Sequence, residues 1–218
     1  MCTVTAFLDN QKFILTSNRD IPTDRVHSTP PEKIKYNGSS IISPIDPEGK
    51  GTWIGASKYL IASLLNNKGP ENSDLDSRGI LVYNILSMKL SSKNLKDESK
   101  FFNPYVLILF DIRSRELREY SWDGITFEES KITSPFNIWT SNTIYSKEES
   151  SDKEKIFLNT CSDKSTSKDI LNFHLKSENI LNSNIKTTSI TQVNYQSNSN
   201  IKYYDLINSQ NHISKLLI

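Results

Sequence analysis

Met1-Cys2-Thr3-Val4-Thr5-Ala6-Phe7 and Phe13-Ile14-Leu15-Thr16-Ser17-Asn18-Arg19-Asp20 alternate polar and apolar residues, the period of half-buried strands. A hairpin joining them carries Arg19 and Asp20 back towards Cys2. Removal of Met1 would make Cys2 the N-terminus, so one residue would hold a thiol and an α-amine of pKa about 7.7–8.0. The expectation is that a thiol, an amine, a guanidinium and a carboxylate converge at one end of this hairpin.

Outward from it, Ile21 to Pro47 is rich in Pro, Asp, Ser and Gly and reads mostly as loop, with short strands at Lys33–Tyr36 and Ser40–Ile42. Gly51–Ser57 and Tyr59–Leu65 are strand-like and end in the turn Asn66-Asn67-Lys68-Gly69-Pro70. Ile80, Leu81, Tyr83, Ile85, Met88 and Leu90 recur at helical spacing behind an N-cap at Asp76 or Ser77, and a second helix falls within Leu95–Phe102. Tyr105–Phe110 reads as a strand buried on both faces. Glu116–Trp122 and Ile125–Glu129 flank the hairpin signal Asp123-Gly124. A short strand at Ile138–Asn142, a solvent-facing helix over Ser146–Leu158, a helix over Ser167–Leu175 and strands at Lys186–Tyr195 and Ile201–Ile207 complete the chain. This order predicts an α+β fold, with helices layered around two mainly antiparallel sheets, in a single domain over residues 1–218.

A chain of 218 residues buries roughly 70% of its unfolded surface, so its core needs neither a disulfide nor a metal. With 26 Lys and Arg against 25 Asp and Glu, there is no global field to attract nucleic acid, and none is expected as a partner. No window approaches the ~18 apolar residues of a spanning helix, and the N-terminus lacks a signal-peptide pattern, so the expectation is a cytoplasmic protein with no integral membrane segment and a small-molecule substrate or ligand. His27, His174 and His212 have no ligand spacing to Cys or acidic residues, which argues against a metal site.

Met1-Cys2-Thr3, Asn18-Arg19-Asp20, Gly51-Thr52-Trp53-Ile54-Gly55, Asn66 before a turn and Ser77-Arg78-Gly79-Ile80-Leu81-Val82 occur in one order. Together they resemble the NRDE family, the transport and Golgi organisation 2-like proteins. The resemblance implies a fold similar to the N-terminal nucleophile (Ntn) hydrolases, a four-layer α-β-β-α sandwich with the nucleophile at the start of the first strand. It extends to their cysteine branch, the bile salt hydrolases and penicillin V acylases. Two departures stand out: the fourth motif letter, Glu, is Ile21 here, and the family's late Gly-Thr-Arg-Ser-type stretch has Lys186-Thr187-Thr188-Ser189 as its nearest match.

On this reading Cys2 is the nucleophile, against the plain alternative of a small strand residue. Arg19 and Asp20 orient the amine and thiol, or else form a surface ion pair. Asn66 is an oxyanion-hole donor or a turn asparagine, and Asn142 is a second such donor. Asn18 joins the ligand-binding set. Trp53 packs in the core or lines the pocket, and Arg78 binds a substrate carboxylate or makes a salt bridge at a helix start. Two functions remain: a cysteine hydrolase of an amide or related acyl bond in a small metabolite, requiring no cofactor, or a non-catalytic carrier of haem or an acyl lipid on the same fold.

Overall fold

The computed structural model describes residues 3–162, 164–176 and 184–216. In chain order its elements are β1 (Thr3–Leu8), β2 (Phe13–Pro22), β3 (Thr29–Tyr36), β4 (Ser39–Ile45), β5 (Ile54–Ser57), β6 (Leu60–Asn66), α1 (Arg78–Leu86), α2 (Leu95–Glu98), β7 (Tyr105–Asp111), β8 (Glu116–Trp122), β9 (Phe127–Ile132), β10 (Phe136–Thr140), α3 (Lys147–Thr160), α4 (Ser167–Lys176), β11 (Ile185–Tyr195), β12 (Asn200–Asp205) and β13 (Gln210–Lys215). The chain is therefore α+β, with two antiparallel sheets of six and seven strands. That is the inventory a two-sheet sandwich requires. No helix among the described residues is long and apolar enough to cross a membrane.

Two compact units divide the chain: the residues up to Arg25 with Ser134–Lys215, and Val26–Thr133 with Leu216. The first holds the sheet β10-β1-β2-β11-β12-β13, with α3 and α4 on one face. Phe7 and Ile14 pack there against Phe157, Ile170 and Phe173. The second holds the meander β3 through β9 with α1 against β4, β5 and β6. Its core includes Ile41, Leu64, Leu81, Ile85, Leu107 and Tyr120.

The Ile21–Pro47 stretch is more ordered than its composition suggests, because it supplies the β3–β4 hairpin. Pro30 and Pro31 are tolerated since β3 is an edge strand whose register shifts between Thr29 and Glu32. Asn37 (φ 48°) and Gly38 (φ 76°) form the turn, the left-handed pair that a two-residue hairpin needs. Strand β13 was not signalled, because Gln-Asn-His-Ile-Ser-Lys is largely polar and exposed. The helix expected within Leu95–Phe102 is one α turn followed by a 3-10 turn at Ser99–Phe101.

Candidate functional site

Strands β1 and β2 pair with Val4 opposite Ser17, Thr5 opposite Thr16 and Phe7 opposite Ile14. Opposed residues share a face, and the alternation then puts Thr3, Thr5, Asn18 and Asp20 on the face that receives α3 and α4. Beyond the Phe7–Ile14 pair this face turns from apolar to polar. The Tyr145 hydroxyl donates to Asp20 Oδ2 at 2.8 Å, and Thr187 Oγ1 donates to Asp20 Oδ1 at 2.7 Å. Lys153 Nζ donates to the Tyr145 hydroxyl at 3.1 Å and to Thr3 Oγ1 at 3.2 Å, and lies 4.2 Å from the Tyr145 ring centroid. Lys153 is 0% exposed and Asp20 1%. A cation and a carboxylate are thus held out of water in one hydrogen-bonded chain, which offsets a desolvation cost that neither could bear alone.

His174 of α4 extends this layer. Its Nε2 meets Thr5 Oγ1 at 2.8 Å and its Nδ1 meets Asn18 Oδ1. Burial pushes its pKa down to about 3, and the Lys153 charge adds to the effect. His174 is therefore neutral at pH 7.

Arg19 does not join Asp20. Adjacent strand residues point to opposite faces, so Arg19 shares the other face with Ser17 and is fully buried there. Strand β11 matches this division through a bulge. Thr187 lies opposite Asp20 and Ser189 opposite Arg19, with Thr188 as the extra residue. Without the bulge Thr187 and Ser189 would share a face; with it, one serves Asp20 and the other lies beside Arg19. The Thr188 hydroxyl donates to the Arg19 carbonyl at 3.2 Å and closes the irregularity. The pleat thus sets the Arg19 and Asp20 side chains on opposite faces of the sheet.

Helix α3 delivers Lys153, and its start is well fixed. Ser146 Oγ accepts from Glu149 N at 3.2 Å, while Glu149 Oε2 accepts from Ser146 N at 2.7 Å. This reciprocal cap holds the Glu149 carboxyl below its usual range, chiefly through the Ser146 backbone N–H. Ser146→Ala is expected to cost about 1 kcal/mol and to lower the melting temperature by about 2–4 °C. A melting curve checks it.

The remaining expected site residues divide as follows. Asn142 follows β10 and lines a cleft of about 300 Å³ with Thr140, Tyr145 and Glu154, so it shares a wall with the tyrosine that holds Asp20. Trp53, Asn66 and Arg78 belong to the second unit. Trp53 is buried, and its carbonyl accepts from Leu64 N and Ser63 Oγ. Arg78 pairs with Glu71 at 3.1 Å and donates to the Pro104 carbonyl at 3.1 Å. That carbonyl also accepts from Asn67 N, so Arg78 and the end of β6, where Asn66 lies, meet at Pro104. The motif glycines have a packing reason. A Cβ on Gly51 would fall 2.4 Å from the Gly79 carbonyl carbon, and Thr52 N donates to Gly79 O at 3.2 Å. Only two glycines allow that approach.

Cys2 lies outside the described residues. Lys153, Tyr145, Thr187 and His174 had not been assigned to the site. A signal existed for the two helical ones: Lys153 is four residues before Phe157, and His174 four after Ile170, so each sits on its helix's buried face. No curated protein matches the chain. The Transport and Golgi organisation 2 family matches it over residues 1–215, and with Asn18-Arg19-Asp20 set in this buried hairpin the chain belongs to that family.

Proposed function

We propose that the chain is a cysteine hydrolase that cleaves an amide or related acyl bond of a small metabolite through Cys2 after Met1 is removed. The observation that supports this reading is the buried chain Asp20–Tyr145–Lys153–Thr3. It buries ionisable groups on β1, the strand that follows Cys2 in the chain, and such clusters collect at reactive sites. In the reaction the Cys2 α-amine takes the thiol proton and the sulfur attacks the carbonyl carbon, forming a C–S bond and an oxyanion. Collapse of the oxyanion breaks the C–N bond, and the ammonium returns the proton to the leaving amine. Water then attacks the thioester, giving its proton to the amine; the C–S bond breaks, the acid leaves, and the thiol is restored.

Intact mass of the protein from its native host is expected to show loss of Met1. A β-lactam or activated ester probe should then add its acyl mass to the wild type, with labelling at least about a thousandfold slower in Cys2→Ala. Labelling that persists in Cys2→Ala would sink the reading. Cys161 does not confuse it, since burial pushes that thiol's pKa up.

One feature favours a second reading, non-catalytic binding. A cleft of about 420 Å³ in the second unit is lined by Leu60, Ile85, Met88, Leu109 and Tyr120, with Arg113 among its charged lining residues. An acyl chain with an acidic head suits these apolar walls and Arg113, while Met88 and Tyr120 are side-chain types that also ligate haem iron, so both ligand classes belong to this reading. Saturable binding of an acyl-CoA that is unchanged in Cys2→Ala would support this reading; no saturation would remove it.

A further inference from the structure

We infer that Met88 is a tail-binding residue of the cleft of about 420 Å³, where its thioether covers the apolar tail of an anionic amphiphile while Lys93 and Arg113 take the head, an inference that rests on the binding reading above. The backbone at Met88 leads there. Helix α1 ends at Leu86 with Ser87 as its C-cap, and Met88, the next residue, has φ 61°. Its N–H donates to the Ile85 carbonyl at 2.9 Å, and Leu90 N donates to Asn84 O at 3.0 Å, so a left-handed ending satisfies two carbonyls of the last turn. Glycine is the residue this position favours, because a Cβ there is strained. The other non-glycine residues with positive φ among those described, Asn37, Lys50, Arg115 and Ser209, are polar. A large apolar side chain kept in a strained position points to a use for that side chain.

The cleft supplies that use. Ile85, Leu109 and Tyr120 in its lining are buried, whereas Met88 is 51% exposed. The thioether is therefore wall that still has apolar surface to cover, and its unbranched, polarisable chain adapts to a ligand's shape. Charge at the rim sets the head. Glu116 pairs with Arg118 and Lys131, and Glu129 pairs with Arg118. Asp111 Oδ1 accepts from Arg113 N at 2.8 Å and from Ser114 N at 3.1 Å. Among the described residues Lys93, exposed at the rim, pairs with none of these carboxylates. Arg113 reaches Asp111 Oδ2 only at 3.9 Å, with its guanidinium 4.7 Å from the Tyr59 ring centroid. The acids are occupied while two cations stay open to a ligand, so the complementary head is an anion.

The test is calorimetric titration of the full chain with dodecanoate, which has tail and head, and with dodecanol, which has the tail alone. The wild type is expected to bind dodecanoate saturably and more tightly than dodecanol. Met88→Gly is expected to raise the melting temperature by about 2–4 °C as the strain is relieved, and to weaken dodecanoate binding about tenfold as the apolar contact is lost. Met88→Leu, which keeps an apolar side chain on the same backbone, is expected to stay within about threefold of the wild type. Lys93→Gln should weaken dodecanoate about threefold and leave dodecanol unchanged. Wild-type affinity in Met88→Gly, or equal weakening in the Gly and Leu variants, overturns the role of the Met88 side chain and leaves the binding reading standing. A melting temperature that falls in Met88→Gly overturns the strain argument, and equal affinity for the two probes overturns the head assignment. No saturable binding by the wild type removes the binding reading and this inference together.

Discussion

Asp20→Ala is expected to destabilise the protein by about 3–5 kcal/mol, because it strands a buried ammonium rather than merely deleting two hydrogen bonds. Lys153 and Tyr145 are both nearly inaccessible, so water cannot replace the carboxylate without opening the helix-sheet interface. Truncation would also leave Thr187 and Tyr145 without the acceptor each now donates to. The measurement is the urea midpoint at constant m-value. Asp20→Asn should lose less, since the amide oxygen still accepts one of the two hydroxyls. The decisive comparison is the double variant Asp20→Leu with Lys153→Met. Removing both charges should restore much of the lost stability, because an apolar pair of similar volume is often as stable as a buried ion pair. A loss below about 1 kcal/mol in Asp20→Ala, or no recovery in the double variant, would show that the two charges do not compensate each other.

The same pair shows where reading the sequence succeeds and where it stops. The β1–β2 hairpin was legible because its alternation is local, and so was the turn chemistry of Asp123-Gly124. Gly124 has φ 96°, and the Asp123 carboxylate accepts from Ile125 N and Thr126 N. The same alternation makes Arg19 and Asp20, as neighbours in a strand, face opposite ways. The partners of Asp20 were beyond reach. Tyr145 is 125 positions away and Thr187 167, and a contact at that separation leaves no periodic trace. Thr187 reaches Asp20's face only because of the bulge at Thr188. In α3 the charged residues concealed a two-residue buried seam, Lys153 and Phe157, so a helix read as solvent-facing is anchored by a lysine. The motif glycines were legible as a close approach of backbone, but that Gly51 meets Gly79 follows from how α1 docks.

Acidification is expected to destabilise the native state from about pH 6.5 downward, and His174 is the reason. Its pKa is about 3 in the fold against about 6.5 in the unfolded chain. Between those values the unfolded state binds a proton that the native state refuses. Stability then falls as pH falls, by about 1.4 kcal/mol per unit, or about 2 kcal/mol by pH 5. Above the unfolded value neither state is protonated and the effect vanishes. Its cause is geometric. Both ring nitrogens are engaged, with Thr5 and Asn18. The Lys153 cation also opposes a second positive charge. Melting temperature should drop by about 4–8 °C between pH 7 and 5. In His174→Gln most of that slope should disappear, whatever the variant's stability at pH 7, because the comparison is of slopes. Equal slopes would place the titration elsewhere. The link to the site is direct, since protonated His174 would set a second cation beside Lys153. The neutral imidazole adds no positive charge beside Lys153, and that arrangement should be lost together with the fold as acid forces the proton on.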